Sequence, residues 1–148
     1  MRGLGLLSGG RRRLCNFAKS SAGLVDVKVS ASGLFSSDST VLRARIFDTP
    51  TGHALLESCP HQMMLQHYGA EVYGPLGVRL PSTTLQSAIP PGGLAYSEQG
   101  NYLCVFWGAA PAWPVDYIGQ IDAEWEKLRD KSWTELKVVR VAEEDEAA

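Results

Sequence analysis

The side chains between Glu71 and Asn101 combine carboxyl, phenol and amide groups that could form a binding site. The candidates are Glu71, Tyr73, Tyr96, Glu98 and Asn101. If their strands are neighbours, these groups converge at one barrel mouth and can hydrogen-bond a small ligand. In the competing interpretation, Tyr73 and Tyr96 are core aromatics whose hydroxyls reach the rim. Proton transfer by Glu71 would require a raised pKa.

Four side chains of zinc-ligand type lie close together in the sequence: His53, Cys59, His61 and His67. Their spacing as a set does not follow the paired ligands of structural zinc sites, so we predict no metal site. The chain also has no GxSxG elbow, no P-loop and no GxGxxG between a strand and a helix. We therefore predict no catalytic residue and no cofactor.

Two segments are suited to contacts with other protein subunits. The stretch from Ala109 to Tyr117 has almost no charge and carries Trp113 and Tyr117. It is either an exposed apolar patch for a partner or a lid that folds back over the barrel. The second segment is the basic N-terminal arm, where we predict partner contacts by Arg11, Arg12 and Arg13.

The basic arm, residues 1–23, is rich in arginine and has no acidic residue, which is typical of mitochondrial transit peptides. A disordered arm without a targeting role is the alternative. Residues 142–148 form an acidic tail that we expect to be solvated. The expected location is mitochondrial, or otherwise cytoplasmic.

The composition limits the class of protein. A chain of 148 residues with 45% hydrophobic content can bury one core, and a formal charge of −2 does not favour nucleic acid as a partner. The three widely spaced cysteines support neither a disulfide framework nor a CxxC metal site. No apolar stretch has the ~20 residues of a transmembrane helix.

The predicted elements are mostly short strands, within one domain at residues 24–141. Alternation begins at Leu24, and a short helix is predicted between Thr49 as its cap and Cys59. Further strands are predicted in five segments: Leu42–Phe47, Tyr68–Tyr73, Leu76–Leu80, Leu94–Ser97 and Tyr102–Trp107. A second helix capped by Asp122 and a last strand over residues 133–141 complete the pattern.

Four motifs in this order resemble the cyclophilin-like family of small, mostly uncharacterised proteins. They are RIFDTPTGHALL, YGAEVYGPLGVRLP, GGLAYSEQGNYLCVFWGAAP and IGQIDAEWEKLRD. The resemblance implies a mostly β fold, a cyclophilin-like closed barrel with one or two short helices. The arginine, phenylalanine and glutamine spacing of true prolyl isomerases is missing. The tryptophan-glycine-aspartate run of nearer relatives is replaced by residues 67–70, His-Tyr-Gly-Ala.

Together these features favour a non-catalytic binding or scaffold module, expected to be an accessory subunit of a larger mitochondrial assembly. The alternative is an enzyme of the cyclophilin-like class, either a weak prolyl isomerase or a small-molecule converting enzyme acting through the Glu71, Tyr73, Tyr96 and Asn101 mouth.

Overall fold

The computed structural model describes residues 20–142. The arginines at positions 11–13 and the acidic residues at 143–146 lie outside this part of the chain. A long antiparallel hairpin of β1 (Ser21–Ser32) and β2 (Ser37–Phe47) comes first. Val25, Val27 and Val29 are fully buried, as their alternation predicts, and β1 begins three residues before that alternation.

The other elements are short. They are α1 (Pro50–Ser58), β3 (His61–Met64), β4 (Gln66–His67), β5 (Glu71–Pro75), β6 (Leu85–Gln86), β7 (Gly93–Ser97), β8 (Tyr102–Phe106), β9 (Val115–Ile121), a 3-10 helix (Trp125–Arg129) and β10 (Glu135–Arg140). The predicted cap of α1 is confirmed, because Thr49 Oγ1 accepts a hydrogen bond of 3.0 Å from Gly52 N. The helix ends at Cys59, before Pro60, as predicted.

All strands join one antiparallel sheet in the order β3-β10-β1-β2-β9-β7-β8-β5-β4, with β6 paired to β9. The sheet curls until its two ends nearly meet, which gives the mostly β, barrel-shaped fold that the sequence predicts. Gly74 of β5 lies at this seam. A β carbon at position 74 would be 2.6 Å from Met63 Cγ and 2.7 Å from the Met64 carbonyl oxygen, so the seam requires glycine.

Apolar side chains fill the barrel and also cover part of its outside. Within β8, Leu103 and Val105 face the main core, whereas Cys104 and Phe106 belong to a smaller cluster on the outer face with Ile89, Ala95 and Val115. Both faces of β8 are therefore buried, as its continuous apolar sequence predicts. Three residues of this outer cluster, Cys104, Phe106 and Val115, also line the candidate site.

A buried carboxylate holds the irregular segment that precedes β6. Asp116 of β9 is 2% exposed, and its Oδ2 accepts hydrogen bonds from Thr51 Oγ1 at 3.0 Å and from Thr83 N at 2.7 Å. These bonds tie α1, β9 and the segment around Thr83 together. The stretch from Ala109 to Tyr117 was considered as a loop in the sequence analysis. In the structure its last three residues belong to β9, which begins at Val115.

Two predicted elements, the strand at residues 76–80 and the helix capped by Asp122, differ in the structure. Residues 76–80 are irregular, because Asn101 Nδ2 donates to the carbonyl oxygens of Leu76 and Val78, both at 3.1 Å. Asp122 does not cap a helix, since its carboxylate pairs with Arg45 at 2.6 and 3.0 Å. A 3-10 helix follows instead, after Glu124 with a φ of 67°. Within residues 20–142, no helix has the length and apolar character to cross a membrane.

Candidate functional site

A cavity of about 350 Å³ lies on the outer face of the barrel over β5, β8 and β7. Because side chains alternate across a strand, Glu71 and Tyr73 of β5 face the same side as the outer residues of β8. The segment before β9 covers this face. The cavity is lined by Tyr68, Glu71, Tyr73, Ser97, Tyr102, Cys104, Phe106, Pro111, Ala112, Trp113 and Val115.

Glu71 is the one carboxylic acid among the described residues that line this cavity. Its side chain belongs to a residue that is only 8% exposed. Burial raises the pKa of the Glu71 carboxyl, and a hydrogen bond from the Cys104 thiol partly opposes this effect. Within residues 20–142, no lysine, arginine or histidine forms an ion pair with Glu71. The carboxyl therefore faces the cavity with a thiol as its protein partner.

Cys104 is not activated as a nucleophile. Burial raises the pKa of its thiol, and the nearby Glu71 charge raises it further. Cys104 is 4% exposed and lies opposite Tyr73 in the β5–β8 ladder. A thiol with a raised pKa is protonated at neutral pH, so Cys104 donates its proton to a hydrogen bond with Glu71.

Five of the eleven described residues that line the cavity are aromatic. The rings of Tyr73 and Tyr102 lie 5.0 Å apart at an interplanar angle of 67°, so they make a corner. The Tyr73 hydroxyl donates to Gln66 Oε1 at 3.0 Å, which fixes its ring from the β4 side. Phe106 is fully buried beneath them. The wall is thus preformed and rich in π surface.

The segment at residues 107–114 folds back over the outer face and forms one side of the cavity. Trp113 Nε1 donates a hydrogen bond of 2.8 Å to Ser97 Oγ, and the Ser97 hydroxyl donates in turn to the Gln99 carbonyl at 2.7 Å. Of the two interpretations of this segment from the sequence, the geometry matches the lid. Trp113 nevertheless remains 43% exposed.

The four predicted pocket residues separate into two groups. Glu71 and Tyr73 line the cavity, but Tyr96 and Asn101 do not. Tyr96 is fully buried among the side chains of the main core, and its hydroxyl donates to Asn101 Oδ1. A single mouth with all four side chains is therefore not formed, because Tyr96 follows Ala95 and points to the opposite face of β7. Glu98 is exposed and uses its carbonyl to accept from Arg79.

Tyr117 belongs to β9 and is partly buried. Its ring meets Phe47 edge to face at 4.8 Å, and its hydroxyl donates to Gln120 Oε1. Burial raises the pKa of this phenol to about 12. Of the two aromatic residues predicted to bind a partner, Trp113 is thus the more accessible.

The histidines named as possible zinc ligands have separate partners. His53 contacts Asp48 at 2.6 Å, His61 contacts Ser58 Oγ at 2.9 Å, and His67 contacts the Trp133 carbonyl at 2.6 Å. In the part of the chain that the structure describes, no three His, Cys, Asp or Glu side chains are grouped to hold a metal ion.

Sequence reasoning missed several residues of the site: Tyr68, Ser97, Tyr102, Cys104 and Phe106. The alternation of β8 was the available signal, since positions 102, 104 and 106 share one face. Their proximity to Glu71 and Tyr73 depends on the β5–β8 pairing, which no local pattern reveals.

A second cavity of about 380 Å³ lies on the polar outer face of β1, β2 and β10. Lys28 and Lys137 stand directly opposite each other there. This face has no aromatic wall, so it serves as a useful internal comparison for the first cavity.

Comparison with protein families gives a match to the cyclophilin-like family over residues 34–141. A solution structure of a hypothetical protein from Archaeoglobus fulgidus is similar, with a TM-score of 0.63 and 18% identity over 83% of this chain and 98% of that one. McbB, solved in complex with tryptophan, has a TM-score of 0.61 and 16% identity over 80% of this chain. The match spans 45% of the McbB chain. No curated protein matches the sequence.

Proposed function

This chain belongs to the cyclophilin-like family, and we propose that it is a non-catalytic ligand-binding module whose site is the outer-face cavity containing Glu71. The family match covers residues 34–141, which include every residue that lines the cavity. Binding is the proposed role because the described lining residues supply an aromatic wall and an anchoring carboxyl group, and their one thiol, Cys104, has a raised pKa.

The observation that carries this proposal is the position of Glu71. A carboxyl group on a residue that is 8% exposed, without a described cationic partner, raises the free energy of the folded protein. Such a group is more readily explained by a ligand than by stability. The cavity volume of about 350 Å³ lies near the lower end of the range for small-molecule sites, which runs from roughly 300 to 1,000 Å³.

A cavity-filling substitution tests the proposal. Ala112 is exposed and lines the cavity, so the indole of Ala112→Trp would occupy its opening without entering a core. Ala123→Trp is the matched control, because Ala123 is also exposed and is not part of the cavity lining. Binding would be measured by ligand-observed NMR with a panel of indole, benzoate, tryptophan, choline and 3,3-dimethylbutanol. Tryptophan is included because McbB was solved in complex with it.

We expect at least one compound to bind the wild-type protein and Ala123→Trp, and to lose its binding to Ala112→Trp. If no compound distinguishes Ala112→Trp from Ala123→Trp, the cavity is not the binding site and the proposal is wrong.

The module is further proposed to act as an accessory subunit of a larger mitochondrial assembly. The support is the basic arm with Arg11, Arg12 and Arg13, together with the exposed Trp113. Tyr117, which is partly buried, is the second aromatic residue proposed for this contact. Size-exclusion chromatography of a native mitochondrial extract tests this role. We expect the chain to co-elute with a larger complex, and we expect a variant with Arg11→Glu, Arg12→Glu and Arg13→Glu to lose this co-elution. Elution of the wild-type chain as a free species of 16.1 kDa would contradict the proposed role.

The alternative of a prolyl isomerase has less support. Among the described residues that line the cavity there is no arginine, the group that the parent isomerases use. We therefore expect no isomerisation of a proline peptide above background, and a rate that Glu71→Gln abolishes would reverse this conclusion.

A further inference from the structure

We propose that the ligand of the outer-face cavity is a small organic cation with an alkylammonium group, held by Glu71 and the surrounding aromatic rings. This inference rests on the proposed function of the cavity and specifies the chemistry of what enters it.

Charge is the first argument. Glu71 is the one carboxyl group among the described cavity-lining residues, and no described lysine or arginine is paired with it. A cation in the cavity would supply the missing partner in a site of low dielectric, where the attraction is strong. An anionic ligand would instead meet a like charge. The Cys104 thiol is only a weak donor, so the Glu71 carboxylate can still interact with a cation.

The nature of the wall is the second argument. Tyr68, Tyr73, Tyr102, Phe106 and Trp113 all line the same cavity. Aromatic faces carry negative electrostatic potential and attract alkylammonium groups, which shed water more easily than metal ions. The Tyr73 and Tyr102 rings form a corner at 67°, so a rounded cation can contact two inclined rings at once. A site for a neutral apolar ligand would not need a buried carboxylate at its floor.

Size is the third argument. A cavity of about 350 Å³ holds a small molecule but not a folded domain. The open side beside Tyr68, which is 62% exposed, allows the remainder of the ligand to extend into solvent.

A pair of isosteric probes tests the inference on the full chain. Choline and 3,3-dimethylbutanol have the same shape, but only choline carries a charge. Binding of each probe would be measured by isothermal titration calorimetry or NMR titration to wild-type protein, Glu71→Gln and Glu126→Gln. Glu126 is an exposed control on the 3-10 helix.

We expect choline to bind the wild type and Glu126→Gln at least about tenfold more tightly than its neutral isostere, and Glu71→Gln to lose this preference. Equal binding of the two probes would overturn the cation inference while leaving the cavity as a binding site. Preference for choline that survives Glu71→Gln would overturn the role of the carboxylate. If indole binds in the cavity and choline does not, the cation inference is wrong and the proposed function stands.

Discussion

The indole Nε1 of Trp113 donates a hydrogen bond to Ser97 Oγ at 2.8 Å, which joins the segment before β9 to the end of β7. This bond fixes one wall of the cavity against the strand that forms part of its floor. The segment is therefore a positioned wall, and its conformation is coupled to the site.

The coupling between Trp113 and Ser97 can be measured by a double-mutant cycle. Trp113→Phe removes the donor and keeps an aromatic ring, and Ser97→Ala removes the acceptor. We expect each change to weaken choline binding a few-fold. In urea unfolding of the wild type, the two single variants and the double variant, we expect a coupling energy of about 0.5–1.5 kcal/mol between the two side chains. Strictly additive effects would show that this hydrogen bond does not position the wall.

The close approach at the barrel seam predicts a strong effect of Gly74→Ala. The new methyl group would meet the Met64 carbonyl oxygen at 2.7 Å, and backbone cannot move aside as a side chain does. We expect a loss of about 1–3 kcal/mol in the free energy of unfolding, measured by chemical denaturation. Gly77→Ala is the matched control, because a β carbon at position 77 has no neighbour within 4 Å. Similar stability of both variants would contradict the described seam.

The buried Asp116 carboxylate predicts a larger effect than a surface ion pair. Asp116→Ala leaves the backbone amides of Thr83 and Thr84 without their acceptor, so we expect a loss of about 2–4 kcal/mol in the free energy of unfolding. Asp26→Ala breaks an exposed contact with Arg43 at 2.7 Å and should cost at most about 1 kcal/mol. Thermal unfolding of the two variants would reveal the difference, and equal midpoints would argue against the Asp116 network.

The raised pKa of Glu71 predicts a specific pH dependence of stability. Because burial favours the protonated form, the folded protein binds this proton more tightly than the unfolded chain. Ionisation of the buried Glu71 therefore lowers the free energy of unfolding. This loss is absent below the pKa of Glu71 in the unfolded chain, about 4.3, and complete above its pKa in the folded protein. Glu71→Gln should therefore gain stability relative to the wild type as the pH rises through this window. Melting curves between about pH 4 and pH 8 test this, with Glu126→Gln expected to show no such trend. If the difference in melting temperature between Glu71→Gln and the wild type did not change with pH, this would contradict a buried carboxylate at position 71.

Local sequence patterns predicted much of the fold. The alternation of Val25, Val27 and Val29 specified β1, and Thr49 with Pro50 specified the start of α1. Both signals act within a few residues, so they do not depend on strand pairing. Asp122 was misassigned as a cap because its actual partner, Arg45, is distant in sequence and adjacent only through the β2–β9 ladder.

The candidate site was predicted only in part, because residue type and alternation are local signals whereas strand pairing is not. Glu71 and Tyr73 were identified by residue type, and their shared face follows from alternation. Tyr96 was grouped with them although its side chain faces the barrel interior, since the sequence did not define which face of β7 is the outer one. Cys104 was not identified, because its relation to Glu71 arises from the β5–β8 register.

Chemical-shift mapping of bound choline and 3,3-dimethylbutanol on the isotope-labelled full chain is the most direct test of the outer-face site. We predict that both probes perturb the backbone amides of Glu71, Tyr73, Ser97, Cys104 and Trp113, with choline acting at lower concentration. The amides of Lys28 and Lys137 on the polar face should remain unchanged. Perturbation of the Lys28 and Lys137 amides alone, or no change at the cavity amides in the folded protein, would contradict the account.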